Sequence, residues 1–258
     1  MKLSVVMPAK DEEGCISETL HLFSSKLREH HVPFEIIVVD DGSRDRTAEL
    51  VRECRHTYPE IRLIQNAGLH GFGRAVQKGV RGAIGDAIAV VMADGSDSPD
   101  DLLNYYRTLG EGYDCVFGSR FMPGGKVVDY PIHKLILNRL ANRFVQFLFR
   151  IKLNDVTNAF KIYRRNAIEG MMPLISPHFN LTVEMPLKAI VRGYSYAIVP
   201  ITWTNRKTGV SKLKLKEMGS RYLFIVLYLW LEKSLARGDY HRDTQHPSSE
   251  PSRSPADA

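Results

Sequence analysis

Ile36-Ile37-Val38-Val39 is wholly apolar and stops at Asp40-Asp41-Gly42-Ser43, and the apolar residues 87–92 run in the same way into Ala93-Asp94-Gly95-Ser96-Asp97. Short runs that are apolar throughout, rather than alternating, fit strands buried on both faces, as in a parallel sheet covered by helices. In such a sheet, ligands bind beyond the carboxyl ends of the strands, which brings both acid clusters to one edge of one cleft. Asp-Gly-Ser clusters also form turns on local grounds alone. Either cluster by itself allows both readings; the pair, each at a strand end, favours a site.

The rest of the pattern agrees. Leu3-Ser4-Val5-Val6-Met7 starts a strand, Ile16, Leu20, Phe23 and Leu27 recur at helical spacing, and residues 36–39 complete a βαβ unit. Asp45 is placed to cap a helix bearing Leu50, Val51 and Cys54. Residues 61–64 form a third strand, residues 87–92 a fourth and residues 114–118 a fifth, while residues 135–149 make an amphipathic helix rich in Leu and Phe. Ser98-Pro99-Asp100-Asp101 has the signature of a helix start, which assigns Asp100 and Asp101 to the helix rather than to chemistry. Alternating strands and helices predict an α/β fold with a mainly parallel sheet and helices on both faces.

Gly68-Leu69-His70-Gly71-Phe72-Gly73 lacks the third glycine of a dinucleotide fingerprint, and no Gly-Lys-Ser/Thr phosphate loop occurs. It reads as a tight turn or as a backbone approach to a nucleotide, which glycine permits by lacking a side chain. Acids at the sheet edge suit a ligand with hydroxyls to hold and a diphosphate to neutralise through a divalent cation. A nucleotide sugar has that chemistry.

The chain of 258 residues carries a net charge of +6, and residues 202–242 hold nine Lys or Arg against three Glu or Asp, so the excess is concentrated there. Such a patch fits an acidic membrane surface or an anionic substrate; nothing else in the sequence suggests nucleic acid. Cys15, Cys54 and Cys115 are odd in number and lack metal-ligand spacing, which predicts free, buried thiols in a reducing compartment. The first apolar run is too short for a signal-peptide core.

Seven motifs in order give the chain a resemblance to a known family. They are Val6-Met7-Pro8-Ala9-Lys10-Asp11-Glu12-Glu13, Val38-Val39-Asp40-Asp41-Gly42-Ser43, and residues 79–86 leading into Asp94. Next come Gly118-Ser119-Arg120-Phe121, Asp155-Val156-Thr157-Asn158-Ala159-Phe160-Lys161, Glu184-Met185, and Arg206-Lys207-Thr208-Gly209-Val210-Ser211-Lys212. Over residues 3–212 the chain resembles the family-2 inverting glycosyltransferases of GT-A fold, and among them the polyprenyl or dolichyl phosphate sugar synthases, which use mannose or glucose.

The resemblance implies that Pro8, Glu12, Asp40 and Asp41 line the nucleoside pocket, and that Asp94 holds Mg2+ or Mn2+, for which Ser96, Asp97 or the diphosphate itself is the expected further ligand. It also implies that Arg120, Arg206 and Lys212 meet phosphates of donor or acceptor, with Lys134 near another such position. Glu184 is an acceptor-site residue or a partner for nearby arginines. The chain departs from the pattern at Met92, which stands where the family has the first acid of its Asp-x-Asp motif, and at residues 157–161, where the family has Thr-Ser-Gly-Phe-Arg.

The implied reaction moves a sugar from a GDP- or UDP-linked donor to polyprenyl phosphate. That acceptor is already an anion and needs charge balance more than a base, and no adjacent Glu-Asp pair occurs in residues 150–200 to serve a hydroxyl. The alternatives are transfer to a hydroxyl of a glycolipid or glycan and, in another class, a non-catalytic membrane adaptor. Residues 222–231 are ten uncharged residues, half of the roughly 20 that span a bilayer. Flanking Lys and Arg and the internal Tyr and Trp suit an interfacial helix; a core or dimer helix is the competing reading, and a homo-oligomer stays open. The expected organisation is a catalytic domain over 1–212, an amphipathic interfacial region over 213–237 and a disordered tail over 238–258, in a cytoplasmic protein peripheral to the cytoplasmic membrane face.

Overall fold

A computed structural model of the chain describes residues 1–205 and 215–242, without the side chains of residues 215–218. In chain order the elements are β1 (Leu3–Ala9), α1 (Ile16–Glu29), β2 (Phe34–Asp40), α2 (Thr47–Thr57), β3 (Ile61–Gln65), α3 (Phe72–Gly82), β4 (Ala87–Val90) and α4 (Pro99–Gly110). They continue with β5 (Cys115–Ser119), β6 (Lys126–Val128), α5 (Ile132–Phe149), β7 (Lys161–Arg164), α6 (Arg165–Gly170), α7 (Leu181–Val191), β8 (Tyr196–Pro200), β9 (Thr202–Thr204) and α8 (Leu215–Leu235).

The main sheet has seven strands in the order β3-β2-β1-β4-β7-β5-β8, and β6 and β9 form a small parallel pair. β1 to β4 pair in parallel, as do β5 and β8; β7 alone runs antiparallel, between β4 and β5. The sheet is buried on both faces, which is why its first strands read as unbroken apolar runs. Leu3, Val5 and Met7 pack under α1, α2 and α4. Val6, Ile37 and Val39 pack on the opposite face, under α3, α7 and α8.

Two helices depart from the expected distribution of polarity. On α5, Asn142, Val145 and Phe149 are buried, whereas Ile132, Ile136, Leu137, Leu140, Phe144 and Phe147 face outward. The inward amides are satisfied: Asn138 and Asn142 donate to Thr157 Oγ1 at 2.9 and 3.1 Å. α8 packs on α7 and touches α5. It buries Ile225, Val226 and Leu229, worth about 1.5–3 kcal/mol each when withdrawn from water. Leu223, Phe224, Leu227, Trp230 and Leu231 stay exposed, so its middle is apolar on both sides rather than amphipathic. Part of the expected interfacial run is therefore core.

The expected boundary at residue 238 also moves. Arg192 pairs with Glu232 at 2.9 Å, both nearly buried, and Arg242 reaches Asp114 at 2.6 Å while its N–H donates to the Arg192 carbonyl. Residues 238–242 are thus tied to the body; the remainder of the expected tail lies outside the described residues.

Candidate active site at the sheet edge

The parallel register sets Ala9 beside Asp40 and Val6 beside Val90, so the loops leaving β1, β2 and β4 emerge on one edge. They are stitched together. The Asp41 N–H donates to Ala9 O, the Asp11 N–H to Ser43 Oγ, the Glu12 N–H to Thr47 Oγ1, and Thr19 Oγ1 to Ala93 O. Both acid clusters therefore reach one edge of the sheet, as the strand ends predicted.

Within the first cluster the two carboxylates have separate duties. Asp40 Oδ1 accepts the Ser43 N–H at 2.9 Å and shapes its own turn. Asp41 accepts Asn66 Nδ2 at 2.7 Å and the Gly71 N–H at 2.7 Å, which anchors the Gly-rich loop. That loop approaches protein, not open space: a Cβ on Gly71 would lie 2.4 Å from Pro177 O, and one on Gly73 2.2 Å from Ser176 O. The glycines here serve close packing of residues 176–178 against α3. Of the remaining nucleoside-pocket candidates, Pro8 is buried next to the end of β1, and Glu12 sits at the first turn beyond it, with Cys15 Sγ 3.6 Å from its Oε2.

In the second cluster Asp94 Oδ1 accepts the Ser96 N–H at 3.1 Å, and Asp97 Oδ2 accepts the Met92 N–H at 2.8 Å. Asp97 thus folds back onto the residue that replaces an acid. Burial, with Asp94 nearby, pushes its carboxyl up to about 8. Among the described residues no group of three or more His, Cys, Asp or Glu could hold a metal ion. A cation here fits only if Asp94 shares it with oxygens brought by a ligand such as a diphosphate. Asp101, expected to serve α4, instead accepts the Thr202 N–H at 2.9 Å, and Ser98 makes no side-chain cap bond; Asp100 pairs with Lys26.

Arg120 is expected to meet a phosphate, yet it is buried and gives Nε and Nη2 to the Asp155 carboxylate, both at 2.7 Å. Burial opposes its charge and Asp155 outweighs that, so its affinity for the proton rises. Phe121 and Trp203 flank the guanidinium, and Arg139 of α5 lies 4.5 Å over the Phe121 ring. Asp155 and Arg139 were not singled out from the sequence; Asp155 heads a quoted motif, but its partner is 35 residues away.

Glu184 is fully buried, accepts the N–H groups of Ile175 and Ser176 at 2.8 and 2.7 Å, and pairs with Lys188 at 3.0 Å. The structure thus makes it the partner of a lysine rather than of the expected arginines, and a clamp on residues 175–176, not a group presented to an acceptor. Lys161 is also buried, donating to the carbonyls of Val156 and Thr182, and burial pulls its ammonium down to about 7. Arg206 and Lys212 lie outside the described residues. The chain approaches them through β9, whose Thr204 N–H donates to Ser96 O at 3.3 Å beside Asp94.

A family model described as Glycosyl transferase family 2 matches residues 4–171. Polyprenol monophosphomannose synthase of Mycolicibacterium smegmatis is 32% identical over 215 residues, covering 81% of this chain and 80% of the relative. Dolichol-phosphate mannosyltransferase of Pyrococcus furiosus is 31% identical over 217 residues, covering 83% of this chain and 60% of that longer relative. Glucosyl-3-phosphoglycerate synthase of Mycobacterium tuberculosis, solved with Mn2+, UDP and glucosyl-3-phosphoglycerate, superposes with a TM-score of 0.67 at 19% identity, over 90% of this chain and 79% of that one. At that identity the likeness is one of fold.

Proposed function

Because the chain belongs to glycosyl transferase family 2, with the GT-A fold, we propose that it transfers a sugar from a nucleotide donor to the phosphate of a polyprenyl phosphate, with inversion, at a membrane surface. The observation that carries this reading is the course of α5. Its first turns adjoin the site, with Asn138 bonded to Thr157 and Arg139 over Phe121, while its outer face presents Ile136, Leu140, Phe144 and Phe147 to the surroundings. A lipid whose chain lies in the bilayer along this helix carries its phosphate toward Arg139 and the edge of the sheet. The exposed apolar side of α8 extends the same surface.

Among the described residues no helix is long and apolar enough to cross a membrane. The proposed location is the cytoplasmic face. Transfer to a hydroxyl is disfavoured because Glu184, the carboxylate at the acceptor-site position, is enclosed and satisfied by Ile175, Ser176 and Lys188. A phosphate acceptor needs no such base.

Asp94 is the residue that would hold a divalent cation, which when bound supplies Lewis-acid stabilisation of the departing diphosphate. Pro8, Glu12 and the turn shaped by Asp40 border the donor's place at the ends of β1 and β2. Incubation of the protein with labelled GDP- and UDP-sugars and polyprenyl phosphate is expected to give a lipid-linked sugar released by mild acid. An acid-stable product would point to a hydroxyl acceptor, and no turnover of any nucleotide sugar would leave only the non-catalytic adaptor.

A further inference from the structure

A cavity of about 910 Å3 lies away from the strand ends that carry the acids. It opens between the C-terminal ends of α5 and α7, the start of β8 and the last turns of α8. α5 has 18 residues, so its two ends, one at the site and one at this cavity, are about 27 Å apart. None of the residues placed at the sheet-edge site borders this cavity.

The lining has one sign of charge. Arg150, Lys152, Lys233 and His241 border the cavity, and no carboxylate does so among the described residues. Arg150 leaves α5 with φ of 53°, which ends the helix at the cavity mouth, and its side chain is exposed. Lys233 donates to the carbonyl of Phe149 and so offsets the negative end of α5. The walls behind these cations are apolar, including Ile151, Ile190, Val191 and Ile198. Phe147 and Leu235, near its edge in the chain, are 83% and 71% exposed.

Three cationic side chains around an apolar recess match an amphiphile with an anionic head, and the volume lies in the range of small-molecule sites. We infer that this cavity binds one anionic phospholipid of the bilayer, its phosphate held by Arg150, Lys152 and Lys233 and the upper part of a chain against the isoleucines. The assignment rests on the membrane-surface reading of α5 and α8, because the recess opens where their exposed apolar faces end. Its role is anchorage and orientation, with the active site at the opposite end of α5.

The test uses the full chain. Dihexanoyl phosphatidylglycerol, kept below its micelle concentration, is titrated by calorimetry into the parent, into Arg150→Gln/Lys152→Gln, and into the charge-matched control Arg107→Gln/Arg143→Gln. One lipid per chain is expected for the parent and the control, with affinity lowered roughly thirtyfold in the cavity variant. Dihexanoyl phosphatidylcholine should bind weakly to all three. Equal weakening in the control, or no binding by the parent, overturns the site, as does equal competition by inorganic phosphate, which would make it a free-anion site. Sedimentation with zwitterionic vesicles tests the membrane surface separately: the cavity variant should still bind them, whereas failure of the parent to bind refutes the membrane reading without touching the calorimetric result.

Discussion

Arg120 gives three donors to one carboxylate: its Nε and Nη2 at 2.7 Å and its own backbone N–H at 3.0 Å all end on Asp155. Both side chains are almost wholly withdrawn from solvent. Loss of either partner leaves a buried charge uncompensated, which costs about 3–5 kcal/mol. Arg120→Ala and Asp155→Ala should each lower stability by that amount in urea unfolding. The double variant Arg120→Met/Asp155→Leu should regain most of it, since a buried pair is readily replaced by apolar side chains. Its transfer activity then separates two roles: continued loss assigns Arg120 to a phosphate, and recovery confines it to holding the fold.

Asp94→Asn should reduce transfer by about a hundredfold or more while the thermal midpoint stays near that of the parent, because the amide keeps the shape and loses the charge. A single carboxylate beside Met92 also predicts that Mn2+ binds weakly to the free protein and tightly with nucleoside diphosphate present. Calorimetric titration in both conditions checks this, and tight binding without nucleotide would contradict it.

Lys161 carries a depressed pKa of about 7 because it is buried. An unfolded lysine holds its proton up to about pH 10.4, so between about pH 7 and 10 the unfolded state binds more protons and the cost this residue imposes on folding shrinks as pH rises. Relative to Lys161→Met, the parent should gain roughly tenfold in its folding constant per pH unit across that window. A flat difference from pH 7 to 10 would show that the ammonium stays charged in the fold.

Phe144 and Phe147 are exposed, 48% and 83%, so Phe144→Glu/Phe147→Glu should change stability by only about 0.5 kcal/mol. Vesicle sedimentation should nevertheless be lost. Transfer to a long polyprenyl phosphate should fall while transfer to a short, water-soluble analogue is kept. Equal loss on both acceptors would mean that α5 acts on the site and not on the membrane.

The half of the sheet that carries the acids was legible because β1, β2 and β4 are buried on both faces and so are apolar without interruption. In the second half only β5 was. β7 reads Lys-Ile-Tyr-Arg and hides a lysine, which no period of apolar residues announces. For α5 the spacing gave a helix but not which face turns inward, since a stripe of Leu and Phe looks the same whether it meets a core or a bilayer; Asn142 pointing inward decides it. Asp40, Asp41 and Asp94 were found from their positions at strand ends. That Asp41 spends its oxygens on Asn66 and Gly71, and Glu184 on Ile175, Ser176 and Lys188, depends on distant chain segments that spacing alone cannot bring together.

The antiparallel strand β7 has a further consequence in time. β4 and β5 are joined by α4 alone, yet they are not neighbours, and the slot between them is filled by a strand that follows α5. β1, β2 and β3 pair across 31 and 25 residues, but β4 reaches β1 across 84, and β5 and β8 join the layer only through β7. Pairings over such separations are slow to form. The separations therefore predict an order of assembly: the strand end with Asp40 forms early, and Asp94 and Arg120, on strands whose partners are distant in the chain, take their places late.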